Sequence, residues 1–215
     1  MIPLRDDNPT RTFSFVTLLL IVLNAATFVH ELQLPEAHIE AFVYRYGFVP
    51  AAWSIETLFT SMFLHGGWQH ILGNMLFLWI FGNNIEDAVG HGKFIFFYLL
   101  SGVAAAGAQY SMNPDSTVPM IGASGAVSGV LGAYLLLYPR ARVTVFIPIW
   151  IFFKLVEVPA LVMLIVWFGL QLLSAWYSPP GQAGVAFGAH IGGFVAGLVL
   201  ILFFKKRRVR LFGGR

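Results

Sequence analysis

Long apolar runs separated by short polar segments constrain this sequence more than any other feature. A helix that crosses a bilayer needs about 20 apolar residues. Only 11% of the 215 residues are charged, too few to cover the surface of a soluble chain of this length. We therefore predict an all-α membrane protein with six transmembrane helices in one domain. The predicted spans are about 12–29, 68–85, 94–108, 124–138, 159–176 and 185–204.

Polar segments flank and interrupt these spans. Residues 1–11 form a polar N-terminal segment, 12–204 the six-span domain, and 205–215 a basic tail. The first loop, residues 30–67, mixes acidic and aromatic side chains, a composition typical of a structure that lies at the membrane interface. Residues 143–156 are apolar but interrupted by a proline and a lysine, and we predict an interfacial or re-entrant segment there.

The distribution of charge predicts the orientation of the chain. Six spans put both termini on one side of the membrane, and 12 of the 13 lysines and arginines then fall on that side. The positive-inside rule makes it the cytoplasmic side of a plasma or inner membrane. The basic tail predicts contact with membrane lipid at the inner leaflet, and not with nucleic acid.

Four polar side chains fall near the outer ends of three inward-running spans. Ser124 begins the fourth span, and His190 lies about one turn into the sixth. His70 and Asn74 are four residues apart and share one face of the second span. Because an ionisable group within a membrane is costly, four polar groups at a similar depth indicate a functional site that opens to the outer side.

Small residues recur at every fourth position on two of these spans and predict close helix contact. The two sets are Ser124, Ser128 and Gly132 on the fourth span, and Ala189, Gly193 and Gly197 on the sixth. Contact between them would bring the Ser124 hydroxyl within hydrogen-bond reach of His190, as a nucleophile and its base require. No carboxylate lies in the outer half of any predicted span, so we infer a Ser–His dyad without an acidic third member.

The remaining candidate groups would shape the transition state. His70, Asn74 and the backbone N–H of Ser124 can donate hydrogen bonds to a developing oxyanion. Gly122 would let the chain pass close to a substrate carbonyl. We assign His65 a structural hydrogen bond, and we expect neither a cofactor nor a metal, because His65 and His70 lack the glutamate of a zinc motif. The other residues expected to shape the site are Gly125, Ser128 and Gly193.

These residues, in this order, resemble the rhomboid intramembrane serine proteases. The likeness covers about residues 58–200, and its motifs are His65…His70…Asn74, Gly122-Ala123-Ser124-Gly125, Ala189-His190…Gly193…Gly197, and Glu86 followed by Gly90. The resemblance implies a rhomboid-like bundle that cleaves single-pass membrane proteins within or beside their transmembrane helix. It implies Ser124 as the nucleophile, His190 as the base, and an oxyanion hole formed by His70, Asn74 and the Ser124 N–H.

The resemblance also implies how substrate reaches the site. Residues 177–185 would cover it, the fifth span would be the lateral gate, and the first loop would lie in the outer leaflet. Two features depart from the family pattern. Many members carry an aromatic residue that stacks on the base where this chain has Ser128, so another group must orient His190. Some members have Trp-Arg in the first loop where this chain has Glu56-Thr57.

Two other functions fit parts of the pattern. A catalytically silent relative would bind membrane proteins without cutting them, although such relatives usually lack the nucleophile or the base. A small transporter or channel would line a pore with the histidines and the asparagine, although the absence of charges in the middle of the spans counts against ion conduction.

Overall fold

Helices form most of the described chain, and a small sheet lies at one end of them. The computed structural model describes residues 2–149, 152–177 and 185–213. The helices are α1 (Phe15–Gln33), α2 (Glu36–Tyr46), α3 (Ile55–Thr60), α4 (Trp68–Phe77), α5 (Asn83–Val89), α6 (His91–Met112), α7 (Ser124–Leu137), α8 (Ala160–Tyr177) and α9 (Phe187–Phe204). The strands are β1 (Ile2–Asp6), β2 (Arg142–Ile149) and β3 (Phe152–Pro159).

Four helices, α1, α6, α8 and α9, are long and apolar enough to cross a membrane. They match the first, third, fifth and sixth predicted spans. The second predicted span is α4, which continues through a π-helical turn at Leu78–Gly82 into α5. The fourth is α7, an apolar helix of 14 residues. The six-span count therefore stays a prediction. The first loop folds into α2, α3 and short turns, and its position at the membrane interface also stays a prediction.

The prediction of an entirely α-helical chain is wrong, because the structure contains three strands, whereas the interfacial or re-entrant position predicted for residues 143–156 stays a prediction. Residues 142–149 and 152–159 form β2 and β3, and β1 pairs with the free edge of β2 to give an antiparallel sheet in the order β1-β2-β3. Val143 pairs with Val158, and Val145 with Val156. The two β2 valines are buried against the helical core while Lys154 stays exposed. Lys154 pairs with Ile147 on the same face of the sheet as these valines, but it lies nearer the start of β3, beyond the two buried valines of β2.

Helix α7 lies at the centre of the fold, with eleven of its 14 residues buried. It meets α9 backbone to backbone: a Cβ built on Gly197 would collide with the carbonyl group of Gly129, and one on Gly193 with that of Gly125. On α9, the contact with α7 is made by the predicted face, which includes Gly193 and Gly197. On α7 the contact face is instead Gly125, Gly129 and Gly132, one residue beyond the predicted Ser124 and Ser128. Ser128 is buried and donates its hydroxyl hydrogen to the Ser124 carbonyl oxygen, 2.6 Å away, on the same helix.

A buried carboxylate fixes the start of α1. Glu86 on α5 is fully buried and accepts hydrogen bonds from the N–H groups of Val16 and Thr17, at 3.1 and 2.7 Å, and from the Thr17 hydroxyl. His91 lies 2.5 Å from the same carboxylate. The first N–H groups of a helix have no intrahelical partner and carry partial positive charge, so a carboxylate there satisfies them and stabilises the helix.

Asp6 at the end of β1 joins the sheet to the helices. Its carboxylate accepts hydrogen bonds from the Tyr134 hydroxyl (2.5 Å) and from the Asn84 amide (2.8 Å). Burial raises the pKa of Asp6 from 3.8 to about 6. A raised pKa in the folded state means that the folded chain binds this proton more tightly than the unfolded chain. The protonated Asp6 therefore makes its full contribution to the free energy of unfolding below about pH 4, and this contribution is lost as the pH rises through 6.

We expect Asp6→Asn to weaken the pH dependence of thermal stability. The amide mimics the protonated acid, so the variant lacks the loss of stability that the wild type shows between about pH 4 and pH 6.5. Melting temperatures of the detergent-solubilised proteins, measured across this range, test the expectation. Parallel curves for the two proteins would contradict it.

Candidate active site

All four polar groups singled out in the sequence line one cleft. The cleft has a volume of about 810 Å³, and Ser124, His190, His70 and Asn74 are all on its wall. They come from α7, α9 and α4, and α8 contributes Trp167. The other lining residues are Gly66, Gln69, Gly73, Phe77, Pro119, Met120, Ile121, Val127, Ser128, Leu131, Val185 and Ala186. The wall is thus mostly apolar, with a few convergent polar groups, as in many ligand sites.

Ser124 is the first residue of α7, and the segment before it is tied down. The N–H of Gly122 donates to the carbonyl oxygen of Ser61 (2.8 Å), and Met120 pairs with Phe48 in the first loop. Gly122 has a φ of +116°, in the region that favours glycine. The Ser124 N–H lies in the first helical turn, where no intrahelical acceptor exists, so it is available to an anion.

Contact between α7 and α9 brings the neighbourhoods of Ser124 and His190 together. A Cβ built on Gly125 would lie 3.8 Å from the carbonyl oxygen of Ala189 and 4.0 Å from its Cβ. Gly125 directly follows Ser124, and Ala189 directly precedes His190. Gly193 lies against the backbone of Gly125 one turn further along α9. Gly125 and Gly193, both expected to shape the site, thus lie where the backbones of α7 and α9 approach each other.

His190 is held from α8. Its Nδ1 lies 2.8 Å from Oε1 of Gln171, and its ring centroid lies 6.0 Å from that of Trp167, with the planes inclined by 31°. Neither residue was identified from the sequence. The one sequence feature that could have indicated Gln171 is that it is the single amide side chain of the largely apolar helix α8. Ser128 bonds its own helix and does not substitute for the aromatic residue that the family often has there.

His70 is oriented with one ring nitrogen toward the start of α7. Its Nδ1 accepts a hydrogen bond from the Gly66 N–H (3.4 Å), so the neutral ring carries its proton on Nε2. A Cβ built on Gly122 would lie 2.5 Å from that Nε2 and 3.6 Å from Nδ2 of Asn74. Gly122 therefore leaves open the space beside both side chains, and its predicted approach to a substrate carbonyl stays a prediction.

Asn74 is oriented by His65. The Asn74 amide donates to His65 Nε2 (3.1 Å), because His65 Nδ1 donates to the carbonyl oxygen of Phe63 (3.2 Å) and leaves Nε2 as an acceptor. The N–H of His65 in turn donates to the Glu31 carboxylate. An amide has two N–H bonds, so one is held by His65, and the other has no hydrogen-bond acceptor among the residues that the structure describes. His65 thus makes the kind of structural hydrogen bond expected of it.

The cap predicted over residues 177–185 falls largely on residues 178–184, which lie outside the described residues. Among the described residues, no group of three or more His, Asp or Glu side chains could hold a metal ion, and the absence of a metal stays a prediction for the chain. Chemically, the cleft offers a hydroxyl, an imidazole and three N–H donors among apolar helices.

Comparison with known proteins identifies the family. A rhomboid-domain family model matches residues 52–207. The chain is 28% identical over 157 residues, 68% of its length, to Rhomboid-like protein 11, chloroplastic, of Arabidopsis thaliana. It is 31% identical over 134 residues, 61% of its length, to Rhomboid protease GluP of Bacillus subtilis. It is 29% identical over 157 residues, also 68% of its length, to Rhomboid protein 1, mitochondrial, of Saccharomyces cerevisiae.

The relatives are longer proteins, and some are named as proteases. The matched regions cover 51%, 25% and 41% of these three relatives, so the chain spans about half of their length or less. The family model covers most of this chain, including all four cleft residues singled out in the sequence. Together with four helices apolar enough to cross a bilayer, it identifies the chain as a multi-pass membrane protein that belongs to the rhomboid family.

Proposed function

We propose that the protein is an intramembrane serine endopeptidase that cleaves single-pass transmembrane proteins in or near their membrane span. One observation carries the proposal: a hydroxyl, an imidazole and three N–H donors converge on one cleft between apolar helices. The protease names of some relatives also support it.

In the proposed reaction Ser124 is the nucleophile and His190 the general base. The Ser124 Oγ attacks the scissile carbonyl carbon as its proton passes to His190, and a tetrahedral oxyanion forms. The oxyanion collapses, the C–N bond breaks, and the leaving amine takes the proton from His190. Water then attacks the acyl ester with His190 again as base, which releases the second fragment and restores the serine.

The oxyanion would be stabilised by the Nε2–H of His70, the free amide hydrogen of Asn74 and the N–H of Ser124. Each donor has a fixed direction before substrate binds, because Gly66, His65 and the start of α7 hold them. Fixed donors in a site poor in water cost no reorganisation when charge develops, which is why they contribute to rate rather than to binding.

We expect Asn74→Ala to lower kcat by about 10²- to 10³-fold with little change in KM, the usual effect of removing one oxyanion donor. Steady-state cleavage of a single-span substrate in detergent tests this. Leu72→Ala is the matched control, because Leu72 lies on the same helix with its side chain exposed. An Asn74→Ala effect confined to KM would argue against the role.

The positions of the two described ends of the chain support the proposed direction of the site within the membrane. Asn8 contacts Asn84, and the N–H of Lys206 donates to the carbonyl oxygen of Ala88, so both ends of the chain meet at α5. The N–H of Phe212 bonds Leu136, at the end of α7 opposite Ser124. This arrangement supports two cytoplasmic termini and a site that opens to the outer side. The basic tail lies at the same end of the protein as the two termini, opposite Ser124, which supports contact between the tail and anionic lipid of the cytoplasmic leaflet.

Cleavage in proteoliposomes tests the proposal. A purified single-span substrate is reconstituted with the wild type or with Ser124→Ala, and fragments are identified by mass. We expect fragments only with the wild type. Substrate that is retained by both proteins but cut by neither would indicate a silent binder. Solute flux that survives Ser124→Ala, without fragments, would indicate a transporter.

A further inference from the structure

His190 needs an orienting group, and the described residues around it offer one hydrogen-bonding partner. In the familiar triad a carboxylate holds the base, and in many rhomboid proteins an aromatic residue stacks on it. Here Ser128 occupies the aromatic position and bonds its own backbone. The polar contact that the structure shows is instead with Gln171 Oε1, 2.8 Å from His190 Nδ1.

The chemistry of this contact determines which ring nitrogen is the base. An amide oxygen has no hydrogen and can only accept, so His190 Nδ1 must carry the proton. In the neutral ring Nε2 is then unprotonated and able to receive the Ser124 proton. The opposite tautomer would carry its proton on Nε2, which could then not accept the proton of the serine.

We propose that Gln171 is the positioning residue of the catalytic dyad: it fixes the tautomer and the ring plane of His190 and stabilises the protonated ring that forms during the reaction. The inference rests on the proposed protease function and deepens it. Trp167, one turn before Gln171, limits ring rotation from the same side, because its ring is inclined by only 31° to that of His190.

An amide suits this position better than a carboxylate does before the reaction begins. A charged side chain on a membrane helix is costly to bury, whereas a hydrogen-bonded neutral amide costs less. The amide dipole still favours the transient positive charge on the ring, and a hydrogen bond in a medium of low polarity is stronger than one in water.

The hydrogen bond also crosses from α8 to α9, which makes the base depend on the position of α8. Most of α8 is exposed, and only Ala160, Met163 and Leu164, in its first turn and a half, are buried. Its contact with α9 near the site consists of Gln171, Trp167 and Phe168, the last stacked on Phe194 at 4.5 Å. Full activity should therefore require α8 to rest against α9.

The test compares three α8 variants. Gln171→Met removes the oxygen that accepts the hydrogen bond from His190 but almost preserves the length of the side chain. Gln171→Glu keeps an accepting oxygen at the same position. Leu170→Met is the matched control, because Leu170 is the neighbouring, exposed side chain. We measure kcat and KM for a single-span substrate, and the rate at which a small fluorophosphonate labels Ser124. The small probe reports the reactivity of the serine and does not require passage of a helical substrate.

We expect Gln171→Met to lower kcat and the labelling rate together by about 10- to 100-fold, with KM nearly unchanged, the cost of leaving one buried polar group unsatisfied. Gln171→Glu should recover most of both rates, and Leu170→Met should match the wild type. Melting temperatures check the fold, and Gln171→Leu serves if the methionine variant does not fold.

Three results would overturn the inference. The first is that Gln171→Met keeps the wild-type kcat and labelling rate. The second is that Gln171→Met cleaves more slowly but is labelled at the wild-type rate. The third is that Gln171→Glu is as slow as Gln171→Met. The second would mean that Gln171 acts on substrate access and not on the base. Failure of the protease function itself looks different, because the wild type would then neither cleave nor be labelled.

Discussion

Replacing Ser124 or His190 by alanine is expected to lower kcat/KM for a single-span substrate by at least about 10⁴-fold. The serine forms the bond to the substrate, and the histidine removes its proton, so neither can act without the other. The double variant should be no slower than the single ones, because groups that work as a unit are not additive. Initial rates of cleavage for all four proteins measure this directly.

Matched controls separate chemistry from folding. Ser111 is an exposed serine of α6 whose hydroxyl bonds its own helix, and His38 is an exposed histidine of α2. Ser111→Ala and His38→Ala should keep wild-type rates. A Ser124→Ala protein with more than a few per cent of wild-type activity, or additive losses in the double variant, would contradict the dyad.

Gly197→Ala is expected to destabilise the protein strongly, because the new methyl group has no room. It would collide with the Gly129 carbonyl group, which belongs to the backbone of the mostly buried helix α7 and cannot easily move aside. Overpacking of this kind costs about 1–3 kcal/mol and sometimes more. For a chain of this size each kcal/mol lowers the melting temperature by about 2–4 °C. We expect a fall of several degrees or more, and a loss of activity with it, because α7 and α9 carry the dyad.

Gly107→Ala is the control for this substitution. It also places a methyl group on a long helix, α6, but nothing lies within 4 Å of the new Cβ. We expect it to be neutral or to stabilise by up to about 1 kcal/mol, because alanine loses less backbone freedom than glycine on folding. Thermal melting of both variants in the same detergent decides the matter. Equal melting temperatures would mean that the α7–α9 contact is looser than described.

The sequence predicted the features that depend on hydrophobic length and on residue type. Four of the six predicted spans correspond to long apolar helices, because a run of about 20 apolar residues has few alternatives. The four polar residues at a common depth were found by the same reasoning, since polar groups in such helices are conspicuous. The structure brings Ser124, His190, His70 and Asn74 to one cleft.

Features that depend on tertiary contact were not predictable from the pattern. Val143 to Val156 is apolar at too many positions for a two-residue period to stand out, and its pairing with residues 2–6 is a long-range contact. The α7 contact face was misplaced by one residue, because serine and glycine are both small and spacing alone does not distinguish them. Gln171 was missed because its role depends on which residue of α9 it meets.

The most direct test of the central claim, that Ser124 is a nucleophile activated by His190, is covalent labelling in a bilayer. The wild type and His190→Ala are reconstituted in liposomes, treated with a fluorophosphonate, digested and mapped by mass spectrometry. The account predicts one adduct, on the Ser124 hydroxyl, formed at least about 10³-fold more slowly in His190→Ala. A folded wild-type protein that gains no adduct at Ser124, or one labelled equally fast without His190, would contradict it.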